Sequence, residues 1–190
     1  MTHSTTSVAL SFAERAERFA SILDAADDHW DAPSPCDGWT VRDVVAHVIE
    51  TERDFLRRHD LLDSPTPPLT DPVAAFRTHA AEVVGLLGRD GVADRAYDGF
   101  FGPTTVGATL IEFHGWDLVI HGWDVARATG QDWSISDEEA QALGADADSW
   151  GDALHGEGIC GSPVPVADDA SARDRLLARL GRDPGWAPTV

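Results

Sequence analysis

The sequence predicts an all-α fold, an antiparallel bundle of four principal helices with helical additions at the C-terminal end. Three observations predict it. Apolar residues recur at helical spacing in five segments. No segment alternates apolar and polar residues for long enough to make a strand. Capping residues and helix breakers stand between the segments, where helices should start and stop.

Residues 1–7 are polar and are expected to be disordered. From Val8 to about Asp28, Leu10, Ala13, Ala16, Phe19, Ala20, Leu23 and Ala26 form one apolar stripe, with Arg and Glu opposite. The run DAPSPCDGWT, residues 31–40, reads as a loop because of its prolines and its Asp-Gly. Thr40 caps a second helix from Val41 to about Asp60, with Asp43 completing a capping box. Its stripe holds Val41, Val44, Val45, Val48 and Phe55, with His47 and Glu50 nearby. Ser64-Pro-Thr-Pro-Pro is an extended linker, and Asp71-Pro72 opens a third helix that stops at Gly88. Residues 89–103, with Tyr97, Phe100 and Phe101, read as a loop. Thr104 or Thr105 caps a fourth helix, ended by Thr129-Gly130. Ser136, with Glu139 in a capping box, starts a fifth helical segment reaching about Leu154. A Gly/Pro-rich loop follows to Pro165, and Asp168 or Asp169 caps a last short helix ending near Leu180. The whole chain, 1–190, is expected to be one domain, with residues 156–190 packing on the bundle as an extension.

Composition narrows the function classes. The formal charge of −19 on 190 residues repels phosphate backbones and anionic membranes, so neither nucleic acid nor membrane is expected as a partner. No apolar run approaches the roughly 18 residues of a membrane span. All 14 basic residues are arginine, which excludes a Schiff-base lysine and with it the usual pyridoxal-phosphate chemistry. Cys36 and Cys160 stand far apart with no CxxC, so there is no disulfide framework. The N-terminus lacks a basic region followed by an apolar one, which predicts no signal peptide and a cytoplasmic protein.

The segment IEFHGWDLVIHGWDVARATG, residues 111–130, carries the chemistry. HGWD occurs at 114–117 and again at 121–124, two helical turns apart, so His114, Asp117, His121 and Asp124 form one polar stripe on an apolar helix. Burying such groups unpartnered is costly. A metal site is one explanation. Asp117 and His121 are spaced i, i+4 and can offer one cation two side chains, and His47, in the core company of Val44, Val45 and Val48, can offer a third from a facing helix. Two histidines and a carboxylate suit zinc, and also nickel, iron or manganese. The other explanation is structural: His47 as a hydrogen-bonded core histidine, and Asp124 paired with Arg127 at the surface. Asp124 or Glu50 could instead orient a ligating imidazole. Trp116 and Trp123 read as packing residues that can also line a pocket. His3, His29, His59 and His79 read as surface or capping residues, His155 as a weak pocket candidate, and Cys36 as a small packing residue rather than a nucleophile.

At these residues the chain resembles a family. PSPCDGWTVRDVVAHV resembles the loop and second helix of the N-terminal domain of actinobacterial mycothiol-dependent maleylpyruvate isomerases, a member of the DinB-like metal-binding four-helix-bundle superfamily. DLVIHGWDVARATGQ resembles its fourth-helix motif, and GSPVPVADDASARDRLLARLGRDP the tail of its single-domain members. The resemblance implies a divalent metal, usually zinc, held by a His on the second helix and a Glu-x-x-x-His pair on the fourth. These positions are His47, Asp117 and His121, with Asp where the family has Glu. His114, one turn before Asp117, is an alternative third ligand, and otherwise joins Trp116 and Asp124 as a residue of the cofactor pocket. The isomerase has a second, C-terminal domain that this chain is too short to contain, so maleylpyruvate isomerisation itself is not implied.

The resemblance implies instead a metal that binds and activates a low-molecular-weight thiol such as mycothiol, for transfer to, or isomerisation of, a small electrophile. The alternatives are a non-catalytic, stress-related metal- or ligand-binding bundle and a metal-dependent hydrolase or lyase without thiol. No catalytic residue beyond the metal set is assigned. The expected partners are a small-molecule substrate and a thiol, and the expected assembly is a monomer or a homodimer.

Overall fold

A computed structural model describes residues 5–156 and 159–188. The polar start is therefore described only from Thr5, and His3 lies outside it. The first helix, α1 (Thr5–Asp24), begins earlier than its apolar stripe and ends before Asp28. Phe12, Ala16, Phe19, Ala20 and Leu23 enter the core, whereas Leu10 faces solvent. A short 3-10 turn over His29–Asp31 leads to the loop before α2 (Val41–Arg58). The Thr40 hydroxyl accepts from the Asp43 amide and the Asp43 carboxylate accepts from the Thr40 amide, a complete capping box. Asp71 caps α3 (Pro72–Leu87), with Pro72 in the first turn.

Residues 89–103 are not a plain loop. An antiparallel hairpin of β1 (Ala96–Gly99) and β2 (Gly102–Thr105) pairs Ala96 with Thr105 and Gly99 with Gly102. Strands of four residues containing two glycines and a proline are too short to leave a period-two signal. Thr105 then caps α4 (Val106–Thr109), which runs on through a π turn at Leu110–His114 into α5 (Gly115–Thr129). Gly130 ends it in the left-handed conformation.

The four long rods pack in a ring. α1 lies against α3 and α5, and α2 lies against the same two helices, closing the all-α DinB-like bundle. The core between them holds Phe12, Phe19, Val44, Val48, Phe76 and Val125 among others. α2 and α3 are also joined by buried polar groups. His79 Nε2 is 2.7 Å from Glu52 Oε2, and Arg53 reaches Glu82 at 2.5 Å and the Ser64 carbonyl at 2.7 Å. His79 is thus a fully buried, paired imidazole and not the surface or capping residue its sequence context suggested.

The C-terminal extension builds a second core on the outer side of α5. Trp116, Val119, Ile120 and Trp123 pack against α6 (Asp137–Ser149) and α7 (Ala172–Arg179) through Leu143, Leu176 and Leu177. Ser136 caps α6, but Glu139 turns to Arg18 of α1 at 2.6 Å, so that capping box is only half made. Ser171, not Asp168 or Asp169, caps α7. Trp133 packs against α5 and donates from Nε1 to the Val119 carbonyl at 2.9 Å. This close approach requires Gly122, because a Cβ there would clash with atoms of the Trp133 ring.

Gly122→Ala is therefore expected to lower the melting temperature by about 2–10 °C through overpacking. Gly144→Ala, where a Cβ meets nothing within 4 Å, should leave it equal or raise it by a few degrees. Thermal denaturation of the two variants followed by circular dichroism checks both.

Candidate metal centre

The contact between α2 and α5 brings His47, Asp117 and His121 to one point. One donor atom from each lies within 4.8 Å of the others. Asp117 stands between the two imidazoles, with Oδ2 3.7 Å from His47 Nε2 and Oδ1 3.4 Å from His121 Nε2. Both separations exceed a good hydrogen bond. They match the roughly 3.3 Å between ligand atoms that share a tetrahedral cation at bond lengths near 2.0–2.1 Å. Aspartate in place of the longer glutamate still reaches both nitrogens. The residues present therefore fit a divalent cation.

The other side of His121 is fixed from behind. Its Nδ1–H donates to Asp124 Oδ2 at 2.9 Å, so Nε2 is the nitrogen left for the cluster. Asp124 is fully buried and does not pair with Arg127; Arg127 donates to the Trp186 carbonyl instead. The partner of Asp124 is Arg182, just beyond α7, which donates from Nε at 3.1 Å to Oδ1 and from Nη2 at 2.9 Å to Oδ2. The Cys36 thiol donates to the same carboxylate at 3.2 Å. Arg182 is held in turn by the Leu180 carbonyl at 3.2 Å. The backbone of Gly181 behind it, at φ +81°, touches Gly161 so closely that a Cβ would come within 2.7 Å.

Charge follows this geometry. Burial would raise the Asp124 carboxyl, but Arg182 and His121 hold it well below the usual carboxylate range. Burial would lower His121, but Asp117, Asp124 and Cys36 together push it up to about 10. His47 is pushed down by burial, partly offset by Asp117. Burial, with Asp124 next in size, pushes the Cys36 thiol up, which fits a neutral packing and hydrogen-bonding role. Cys36, His121 and Asp124 also lie close enough to share an ion. A cation there would have to displace the Arg182 guanidinium and break the His121–Asp124 bond, so the His47 cluster is the better site.

The cluster opens on a cavity of about 520 Å³, within the range of small-molecule sites. Trp39 covers both imidazoles, its ring centre 4.8 Å from that of His47 and 6.2 Å from that of His121. Trp116, Cys160 and Arg182 line the far walls. Of the pocket residues expected from sequence, Trp116 is in the wall and Asp124 lies behind it. His114 is not there. It shares the α5 stripe, but two turns are about 10 Å along the axis, and its ring lines a neighbouring cavity. It is therefore not the alternative third ligand. His155 is exposed, with Nδ1 3.2 Å from the Gly161 carbonyl, and does not face the cavity. Trp39, Cys36 and Arg182 are the site residues that spacing did not single out.

Residues 12–126 match the profile of the mycothiol maleylpyruvate isomerase N-terminal domain. The chain belongs to that family. It is 30% identical over 176 residues to uncharacterized proteins of Mycobacterium tuberculosis strains CDC 1551 / Oshkosh and ATCC 25618 / H37Rv, covering 87% of this chain and 92% of each relative. No solved structure matches it. The mycothiol maleylpyruvate isomerase N-terminal domain match contains all three cluster residues together with Cys36 and Asp124, whereas Arg182 comes from outside the matched segment.

Arg182→Met should destabilise the fold by about 3–5 kcal/mol, because it leaves the Asp124 charge buried beside one fewer cation. Asp124 has a depressed pKa in the folded protein, so its contribution is present above the unfolded carboxyl pKa near 4 and is lost as pH falls below it. Asp124→Asn should therefore be less stable at neutral pH and lose less stability than wild type between about pH 5 and pH 2. Urea unfolding across that range checks the sign, and parallel acid limbs in the two proteins would contradict it.

Proposed function

We propose that the protein is a metal-dependent enzyme that binds a low-molecular-weight thiol of the mycothiol kind and delivers its sulfur to, or uses it to isomerise, a small electrophilic substrate. The observation that carries this is the convergence of His47, Asp117 and His121 on one wall of a cavity, with His121 locked from behind by Asp124. The family match supports the thiol, since the family is described by mycothiol. Zinc suits the donor set best. With three protein ligands it keeps a fourth position where a thiol would bind as thiolate, the nucleophilic form.

The chain's own residues do the rest. Asp124 holds His121 in the tautomer that presents Nε2. Asp117 supplies the negative charge that partly balances a dication. Trp39 and Trp116 exclude water from the cavity and offer apolar faces to the thiol's carrier. Arg182, 3.6 Å from the Cys36 sulfur, is in the cavity wall and through Asp124 keeps His121 in place.

Protein purified without a metal-affinity tag is expected to carry about one divalent ion per chain. His121→Ala and His47→Ala should lose most of it, His114→Leu should keep it, and Asp117→Glu should bind as well as wild type or better. Calorimetric titration with mycothiol should show stoichiometric binding to the metal-loaded protein only. Full metal in both histidine variants, or equal thiol binding with and without metal, would overturn the reading.

The site also makes a pH prediction. His121 holds its second proton up to about pH 10, so a cation at Nε2 must expel that proton at neutral pH. Apparent metal affinity should rise with pH between about 6 and 9, by up to roughly tenfold per unit. Calorimetry at one pH in buffers of different ionisation enthalpy counts the protons released. A count of zero would contradict the assignment of Nε2.

A further inference from the structure

A second cavity, of about 730 Å³, adjoins the first. Thr51, Phe113 and Trp150 are walls of both. Its remaining walls mix polar residues with four aromatic rings: Phe55 from α2, Tyr97 from β1, and Phe100 and Phe101 from the hairpin tip. Phe100 and Phe101 are 86% and 58% exposed, an unusual state for two adjacent phenylalanines.

His114 is also part of this wall and is only 4% exposed. Among the described residues its ring has no hydrogen-bond partner, and Nδ1 is sealed without one. Other buried imidazoles are paired: His79 with Glu52 and His121 with Asp124. Burial keeps His114 neutral, against the pull of Glu52 and Asp117. A neutral imidazole has one N–H to donate, and with Nδ1 sealed the nitrogen that can present it to a ligand's acceptor oxygen in the cavity is Nε2. The neighbouring hydroxyls of Thr51, Tyr97 and Thr109 are already engaged. Thr51 donates to the His47 carbonyl at 2.9 Å, and the Tyr97 and Thr109 hydroxyls are 2.6 Å apart.

We propose that this second cavity binds a planar, uncharged aromatic compound bearing a carbonyl oxygen, with the phenylalanine and tyrosine rings covering its faces and His114 donating a hydrogen bond to that oxygen. Charge argues against an anion. Asp54 and Glu112 line the cavity together with Arg58, so its walls carry no surplus positive charge, and Glu52 adds negative potential at His114. The shared walls let such a compound reach toward a thiol in the first cavity. That last assignment rests on the proposed function, whereas the binding itself does not.

Prodan, a neutral propionyl-naphthalene fluorophore, is a direct probe, with its propyl counterpart lacking the carbonyl as the control. Fluorescence titration should show saturable binding of both to wild type, as a blue shift for prodan and as a change in emission intensity for the propyl counterpart. His114→Leu should weaken prodan by at least about fivefold, the worth of one hydrogen bond, and leave the propyl counterpart unchanged. Phe101→Ala, at the exposed tip and outside the core, should weaken both several-fold without affecting folding. His121→Ala should leave both affinities unchanged, so loss of metal there with intact prodan binding separates this proposal from the reading of the first cavity. Prodan affinity unaltered by both His114→Leu and Phe101→Ala would overturn it. So would prodan binding that is lost in His121→Ala and kept in Phe101→Ala, because the fluorophore would then occupy the first cavity.

Discussion

A carboxylate with no exposure to water, Asp124, is the constraint around which the site is organised. Desolvating such a charge costs several kcal/mol unless partners surround it. Three partners do so, and each has a consequence. Arg182 ties the segment after α7 to the bundle. Cys36 fixes the loop before α2 at the same point. His121 donates its Nδ1–H to the carboxylate and so turns Nε2 toward Asp117 and His47. One buried charge thereby joins three stretches of chain and sets the tautomer of a ligating residue.

The position of α5 follows from the same economy. Most of its surface is buried, with one side in the bundle core and the other in the core made with α6 and α7. A helix covered all round has no solvent face on which to place polar groups. Its Asp and His residues must therefore point into cavities or pair with each other. The doubled HGWD does both. Asp117 and Asp124 bracket His121 from either side, while His114, two turns earlier, reaches the neighbouring cavity unpaired.

Much of this was legible in the sequence. The helical periodicity of α1, α2 and α3 and the caps at Thr40, Asp71 and Gly130 are local signals, and they marked those helices closely. The His47, Asp117 and His121 grouping was readable because i, i+4 spacing puts two of them on one face and the apolar neighbours of His47 point it inward. Long-range pairing was not readable. Arg182 is 58 residues from Asp124 in sequence, and no spacing rule links a tail arginine to a helix aspartate. His79 looked exposed because its partner Glu52 lies on another helix. The half-made box at Ser136 shows tertiary contact overriding a local motif, since Arg18 draws Glu139 away. His114 was misplaced for a different reason: sharing a face of a helix fixes direction but not depth along the axis.

The central claim is a cation held by two imidazoles and one carboxylate, with room left for an external thiol. Zinc K-edge X-ray absorption on the reconstituted protein, with and without mycothiol, tests it most directly. The account predicts a shell of nitrogen and oxygen alone near 2.0–2.1 Å in the absence of thiol, and one sulfur near 2.3 Å once mycothiol is added. A sulfur in the shell before any thiol is supplied would put Cys36 or Cys160 on the metal, and a shell unchanged by mycothiol would mean that the cation does not bind it; either result would contradict the account.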